Sequence, residues 1–137
     1  MIRNIMHDER GQAVTEFAVI LPILLLVLFA IFQFGVIFNN YIQVAAAARE
    51  GARKGAVSRT AGNCSQVTSM VQTSAQNAAP GLNLTTSQIA VADTCTNNQV
   101  QAGNDITVTV SYPWSVSLLG QVVASGNLSS ATTMRVE

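Results

Sequence analysis

GQAVTEFAVILPILLLVLFAIFQFGVIF, residues 11–38, is the stretch that decides the fold of this chain. From Phe17 to Phe38 the only polar side chain is Gln33, and a helix over these residues covers about 33 Å, close to the thickness of a bilayer core. One carboxylate, Glu16, stands at the edge of the run, and the next charged residue is Arg49. A charge costs roughly 2.5–3.5 kcal/mol at the centre of a membrane helix and less near the interface, so Glu16 is a candidate for function.

The apolar run predicts a membrane anchor that continues as a helix outside the membrane. It is longer than the apolar core of a cleaved secretory signal, which spans about 7–15 residues. Beyond it the sequence contains no helix breaker, and the four alanines at 45–48 are the strongest helix formers. We therefore predict a polar head at 1–11 and one long helix at 12–58, with the membrane span at about 17–38.

The remaining residues, 59–137, are predicted to form a small exported domain. A short amphipathic helix is expected at 66–78, because apolar residues recur there at helical spacing. Pro80 and Gly81 follow it and are typical of a turn.

Alternating apolar and polar residues then predict strands. A hairpin is expected between 88–95 and 105–112, with Pro113 ending its second strand, and a last strand at 132–136. The segment 116–123 fits either an apolar turn or a short helix. The predicted fold class is α+β, with a long N-terminal helix, one short helix and a small antiparallel sheet packed on the upper half of the long helix.

Composition narrows the classes of function. The formal net charge is zero and only 10% of residues are charged, which argues against a nucleic-acid partner. Outside the head, which holds the only histidine, His7, no serine–histidine–aspartate set or metal-ligand spacing occurs, so we expect no enzyme activity, no metal and no cofactor. The two cysteines, Cys64 and Cys95, form a disulfide if this side of the membrane is oxidising, and otherwise are two independent buried thiols.

The spacing from Gly11 to Glu16 predicts a processing site. Glycine has no side chain to obstruct a membrane protease and does not favour helix, so the chain after Gly11 is a candidate for cleavage. A cut there gives Gln12 a free α-amine, one helical turn from Glu16. In a polymer of such helices the amine of one subunit can pair with Glu16 of its neighbour, which offsets the cost of placing the carboxylate near lipid.

Several segments together resemble a known family. The run GQAVTEFAVILPILLL at 11–26, FQFG at 32–35, AAREGAR at 47–53 and the closing SATTMRVE at 130–137 resemble TadE-like proteins, the minor pilins or pseudopilins of Tad/Flp pilus systems. Gln33 stands where the family has an acidic residue, and Gln12 where type IV pilins have Phe or Met.

The resemblance implies a pilin-like precursor in the bacterial inner membrane, with a cytoplasmic N-terminus and a periplasmic C-terminal domain. Its implied partners are a prepilin peptidase, which cuts between Gly11 and Gln12, and other pilin subunits, which contact Glu16 and Phe17 during assembly. The implied role is pilus assembly, adhesion and biofilm formation. Basic residues alone favour the opposite orientation, because more of them follow the span than precede it. An uncleaved single-pass subunit or adaptor of a secretion or envelope complex is the alternative.

Three further features each have two interpretations. Gly51 and Gly55 could permit close helix packing between filament subunits, although they lie outside the bilayer. Trp114 either anchors the sheet to the helix or packs in the core of the domain, and core packing is the prediction. The basic residues Arg49, Arg53 and Lys54 either pair with acids of a neighbouring subunit or form a solvated helix face.

Overall fold

A computed structural model describes residues 9–58, 63–93, 95–96, 98–118 and 120–137. Most of the predicted head, residues 1–8, and most of the predicted boundary between helix and domain, residues 59–62, lie outside the described residues. The chain divides into two compact units, Met1–Val36 and Ile37–Glu137. The first contains only helix among its described residues, and the second contains the α+β domain. The predicted α+β class is confirmed.

The long helix, α1, runs from Glu9 to Ala56. It begins three residues before the predicted start, because the single glycine at position 11 lowers the helix propensity without ending the helix. Pro22 lies inside the helix, where its ring removes one backbone hydrogen bond without ending the element. The last turn carries Arg53 and Lys54, whose charges suit the negative end of the helix dipole. There the Ser58 hydroxyl donates a hydrogen bond of 2.5 Å to the Lys54 carbonyl.

The short helix, α2, spans Cys64–Ala78 and begins two residues earlier than predicted. The reason is the cap at Asn63, whose side-chain oxygen accepts a 3.0 Å hydrogen bond from the Gln66 backbone N–H. The Gln66 side chain in return accepts one from the Asn63 N–H, at 3.3 Å. This reciprocal pair forms a capping box, which satisfies two backbone donors that would otherwise lack partners.

The sheet has three antiparallel strands in the order β1-β4-β5. Strand β1 is Ile89–Asp93, β4 is Asp105–Leu118 and β5 is Gln121–Arg135. The predicted hairpin partners do pair, with Ile89 opposite Val110 and Asp93 opposite Ile106. Between β1 and β4 the chain forms a separate two-stranded sheet from β2, Cys95–Thr96, and β3, Gln99–Val100.

The prediction that Pro113 ends its strand is wrong. Strand β4 continues five residues further, and Pro113 lies opposite Asn127 of β5. Strand β1 reaches only as far as Val110, so no described strand faces Pro113 on the other side and its missing N–H breaks no ladder there. The segment 116–123, for which the sequence left a turn or a short helix as alternatives, forms neither over its whole length. It forms the ends of β4 and β5 around Gly120, which has φ +82°; Leu119 lies outside the described residues.

The core of the second unit lies between α1, α2 and one face of the sheet. The buried stripe of α1 recurs with helical period and consists of Val44, Ala47, Ala48, Gly51, Ala52, Gly55 and Ala56. Strand β4 contributes Ile106, Val108 and Val110, and α2 contributes Val67, Val71 and Ala75. The small residues of α1 let the valines and isoleucines of the other elements approach its backbone closely.

Gly51 and Gly55 are part of this intrachain contact. A Cβ atom added at Gly51 would lie 3.2 Å from Val108 Cγ1 and 3.3 Å from Ala75 Cβ. One added at Gly55 would overlap Ile106 Cδ1 and lie 3.2 Å from Val71 Cγ2. Both glycines therefore allow the chain's own sheet and α2 to pack closely against α1. The interpretation that they face another filament subunit is wrong.

Candidate processing and assembly site

The Gly11–Gln12 peptide bond lies in the first turn of α1, because the helix begins at Glu9. Glycine costs about 1 kcal/mol relative to alanine in a helix interior, and the first N–H groups of a helix have no intrahelical acceptors. Gln12 is exposed and Gly11 is partly exposed. The sequence predicted a non-helical bond here, whereas the observed bond is helical and lies in the first turn of α1, where few hydrogen bonds hold it.

Glu16 lies one turn further along α1, on the same side as Gln12. Its carboxylate accepts a 3.3 Å hydrogen bond from the Gln12 side-chain amide. The Thr15 hydroxyl donates a 2.8 Å hydrogen bond to the Gln12 carbonyl. The four-residue spacing of Gln12 and Glu16 allows this contact in any regular helix. In the uncut chain, Glu16 thus has a neutral partner within its own helix.

The surface around Glu16 is apolar and open. Phe17 is 59% exposed and Val19 is 70% exposed, and every residue from Gln12 to Leu28 is exposed. The structure therefore brings together Gln12 and Glu16 and places Phe17 beside them. No other described residue of the first unit covers the apolar side chains of this helix. Such a helix needs either lipid or other helices around it.

The predicted disulfide between Cys64 and Cys95 is present, with a Cα–Cα distance of 6.5 Å. It joins the first residue of α2 to β2, and the Cys64 N–H also donates a 3.3 Å hydrogen bond to the Asn98 carbonyl. The bond therefore fixes the start of α2 to the small β2–β3 hairpin. The alternative of two independent thiols is wrong.

Trp114 lies outside the buried core, contrary to the prediction that it packs there. It is partly buried on β4, directly opposite Gly126 of β5. A Cβ atom at Gly126 would lie 3.0 Å from the indole Nε1, so the ring covers the glycine. Sequence reasoning missed this pair because it depends on the β4–β5 register. The only local signal was the alternation that places Trp114 on the same face as Tyr112.

Arg49 and Arg53 are exposed on α1, one helical turn apart. Lys54 follows Glu50 at the four-residue spacing that favours an ion pair. In the described part of the chain, however, these two side chains do not form one. This arrangement agrees with a solvated helix face. It gives no evidence for a specific acidic partner.

Among the described residues, one helix, Gly11–Ala56, is long and apolar enough to cross a membrane. Together with the α+β domain that follows, it suggests a single-pass membrane protein. Residues 11–53 match the family model of TadE-like proteins, which confirms the predicted resemblance over that segment. The match suggests a protein associated with a Tad pilus. No curated protein and no solved structure matches the chain.

Proposed function

We propose that this chain is a minor pilin, or pseudopilin, of a Tad/Flp pilus, and that its role is structural and not enzymatic. The observation that carries the proposal is the TadE-like segment, which begins at Gly11 and contains the exposed Glu16 at the edge of an uncovered apolar helix. Adhesion and biofilm formation are the activities such an appendage serves. The partners are other pilin subunits and a prepilin peptidase.

Cleavage between Gly11 and Gln12 changes the chemistry next to Glu16. A free α-amine is largely protonated near neutral pH, so the new terminus carries a positive charge. The Gln12 amide is neutral, so its hydrogen bond to Glu16 involves one charged partner, whereas an ammonium group adds the attraction between two opposite charges. An ammonium group from a neighbouring subunit is therefore a better partner for Glu16 than the intrahelical amide that it replaces.

The proposed topology is N-terminus in the cytoplasm and C-terminal domain in the periplasm of a bacterial cell. The Cys64–Cys95 disulfide supports it, because disulfides persist in oxidising compartments. In this orientation the Gly11–Gln12 bond is at the cytoplasmic face, where the residues before it keep it at the water interface.

An uncleaved single-pass subunit of a secretion or envelope complex is a second candidate. Two observations favour it: the Gly11–Gln12 bond is helical, and Glu16 already has a partner within its own helix. In that role the apolar surface of α1 binds the helices of a partner complex without any processing.

The mature N-terminus distinguishes the two candidates. We expect mass spectrometry of the membrane-extracted protein, from cells with an active prepilin peptidase, to give a chain that begins at Gln12, with or without loss of ammonia from a cyclised terminal glutamine. Gly11→Leu should abolish the cut, because the added side chain obstructs the protease. Gly35→Leu is the matched control, since nothing lies within 4 Å of a Cβ at Gly35. An intact N-terminus in the unmodified protein contradicts the pilin proposal.

A further inference from the structure

The β4–β5 hairpin extends beyond the core of the domain. On one face of β4, Ile106, Val108 and Val110 are buried, and the same alternation continues through Tyr112, Trp114, Val116 and Leu118, which are only partly buried. Strand β1 ends opposite Val110. Residues 113–118 and 121–127 therefore form a two-stranded extension, which we call the ribbon.

The direction of the ribbon follows from three contacts between the sheet and α1, all within the second unit. The Glu137 N–H donates a 3.3 Å hydrogen bond to the Ala56 carbonyl. Ile106 lies against Gly55, and Val108 lies against Gly51. Moving forward along β4 thus means moving backward along α1. The two elements advance at nearly the same rate between successive contacts, since two residues of β4 cover about 6.6 Å and four residues of α1 cover about 6 Å.

Continuing this match within the second unit places the start of the ribbon at the end of the domain where α1 enters the apolar run. Trp114 comes level with about residue 38 of α1, the last residue of the predicted membrane span. The same end of the domain exposes Phe38, Tyr41 and Ile42, at 57%, 45% and 56%. Gly81, which lies against the Gln43 side chain, is at this end as well.

The ribbon has the composition of a lipid-facing surface. No charged residue occurs between Asp105 and Arg135. Val122 and Val123 are 64% and 60% exposed near the tip, and Trp114 is the only tryptophan of the chain. Tryptophan is enriched at membrane–water interfaces, where its ring contacts the acyl boundary and its N–H reaches the headgroups.

We propose that the ribbon lies in the headgroup region of the bilayer that α1 spans, with Trp114, Val122 and Val123 in contact with lipid. The inference rests on the membrane-spanning part of the proposed function. The hydrocarbon core is excluded, because the outer edges of a two-stranded ribbon carry backbone groups without partners, each costing several kcal/mol there. The register shift between Val116 and Ser117 is a bulge of the kind that bends a hairpin, which allows the tip to turn along the surface.

Trp114 is a native probe for this contact. The full chain is reconstituted at low density in phosphatidylcholine vesicles whose acyl chains are brominated near the glycerol end. We expect bromine to quench Trp114 fluorescence, and acrylamide in the aqueous phase to quench it less than in the unfolded chain. Strong acrylamide quenching without bromine quenching overturns the inference. Protection from both quenchers also overturns it, because the ribbon is then covered by protein.

Two variants test whether the ribbon itself makes the contact. In V122S/V123S the bromine quenching of Trp114 should be lost, because the ribbon no longer holds apolar side chains against the lipid. V57S is the matched control, because Val57 is 59% exposed and lies just after the C-terminal end of α1, away from the ribbon. Bromine should quench Trp114 in V57S as strongly as in the unmodified chain. Unchanged quenching in V122S/V123S contradicts the inference.

Flotation of the vesicles separates this inference from the one on which it rests. A chain that fails to float with the vesicles overturns both the membrane span and the ribbon contact. A chain that floats but shows no bromine quenching overturns the ribbon contact alone and leaves the pilin proposal intact.

Discussion

Glu16 is the only charged side chain on α1 between Gly11 and Arg49. Within the part of the chain that the structure describes, it accepts a single side-chain hydrogen bond, 3.3 Å long, from Gln12. A carboxylate has about four lone-pair sites for hydrogen bonds, so most of its capacity is left for water, lipid headgroups or a second subunit. Its place one turn after the proposed cut makes it the residue on which the proposed assembly contact depends.

We expect Glu16→Ala to insert and to be cleaved normally but to assemble poorly, because the charged pair between subunits is lost at every repeat of the polymer. Glu16→Gln should show the same defect, since it keeps the shape and removes the charge. Piliation is counted by electron microscopy, and cleavage is followed by mass spectrometry. Glu50→Ala, another exposed acid on α1, serves as the control. Normal piliation in Glu16→Ala contradicts the pairing of Glu16 with a neighbour's amine.

At the scale of elements, the packing of α1 against the sheet depends on residues with little or no side chain. Gly51 and Gly55 lie one turn apart on the buried stripe, against Val108 and Ile106 respectively. The alanines at 47, 48, 52 and 56 complete the stripe. Larger residues on this stripe would push the sheet away from the helix and leave voids around the remaining contacts.

Gly55→Ala is expected to lower the free energy of unfolding of the domain by about 1–2 kcal/mol. Overpacking against Ile106 costs about 1–3 kcal/mol, and the better helix propensity of alanine offsets up to about 1 kcal/mol of that. Ile106→Val in the same chain removes the overlapping methyl group and should recover part of the loss. Urea unfolding in mild detergent, followed by circular dichroism, measures both. Gly35→Ala should not destabilise the domain, and equal stability of Gly55→Ala and Gly35→Ala contradicts this packing.

At the scale of the whole molecule, the chain joins an apolar helix, exposed from Gln12 to Leu28, to a small domain with a three-stranded sheet. A sheet of this size needs packing against helices to be stable, and here α1 and α2 both supply it. The Cys64–Cys95 bond adds a covalent closure over 31 residues, for which the chain-entropy account gives about 3–4 kcal/mol.

Protein trapped with an alkylating agent and run without reductant should migrate faster than the reduced form, because the closed loop makes the denatured chain more compact. Cys64→Ser should migrate at the reduced position with or without reductant, and it should unfold at lower urea concentration.

Protease added to spheroplasts should degrade the domain of the intact protein. An unshifted band together with a protected domain contradicts the proposed periplasmic location.

The elements that sequence reasoning predicted best are those with local causes. An uninterrupted apolar and alanine-rich run predicted α1 to within a few residues at each end. Apolar spacing predicted α2, although the cap at Asn63 moved its start. Helical spacing also placed Gln12 and Glu16 one turn apart, but the hydrogen bond between their side chains within one helix was not predicted. In each case the hydrogen bonds join residues three or four apart, so neighbouring sequence contains the information.

The extent of the strands required the tertiary structure. A proline ends a strand where a neighbouring strand needs its missing N–H as a hydrogen-bond donor. The structure shows that β1 stops before Pro113, so none of the described strands needs that donor. The β4–β5 register likewise set Trp114 over Gly126.

The sequence by itself determined the uncovered apolar helix, the carboxylate at its edge and the short amphipathic helix, because helical periodicity is a local property. Only the tertiary structure decided that Gly51 and Gly55 face the chain's own sheet, and that the ribbon extends past the core toward the apolar end of the domain. Those outcomes depend on contacts between residues tens of positions apart, where pairing and packing together select one partner for each surface.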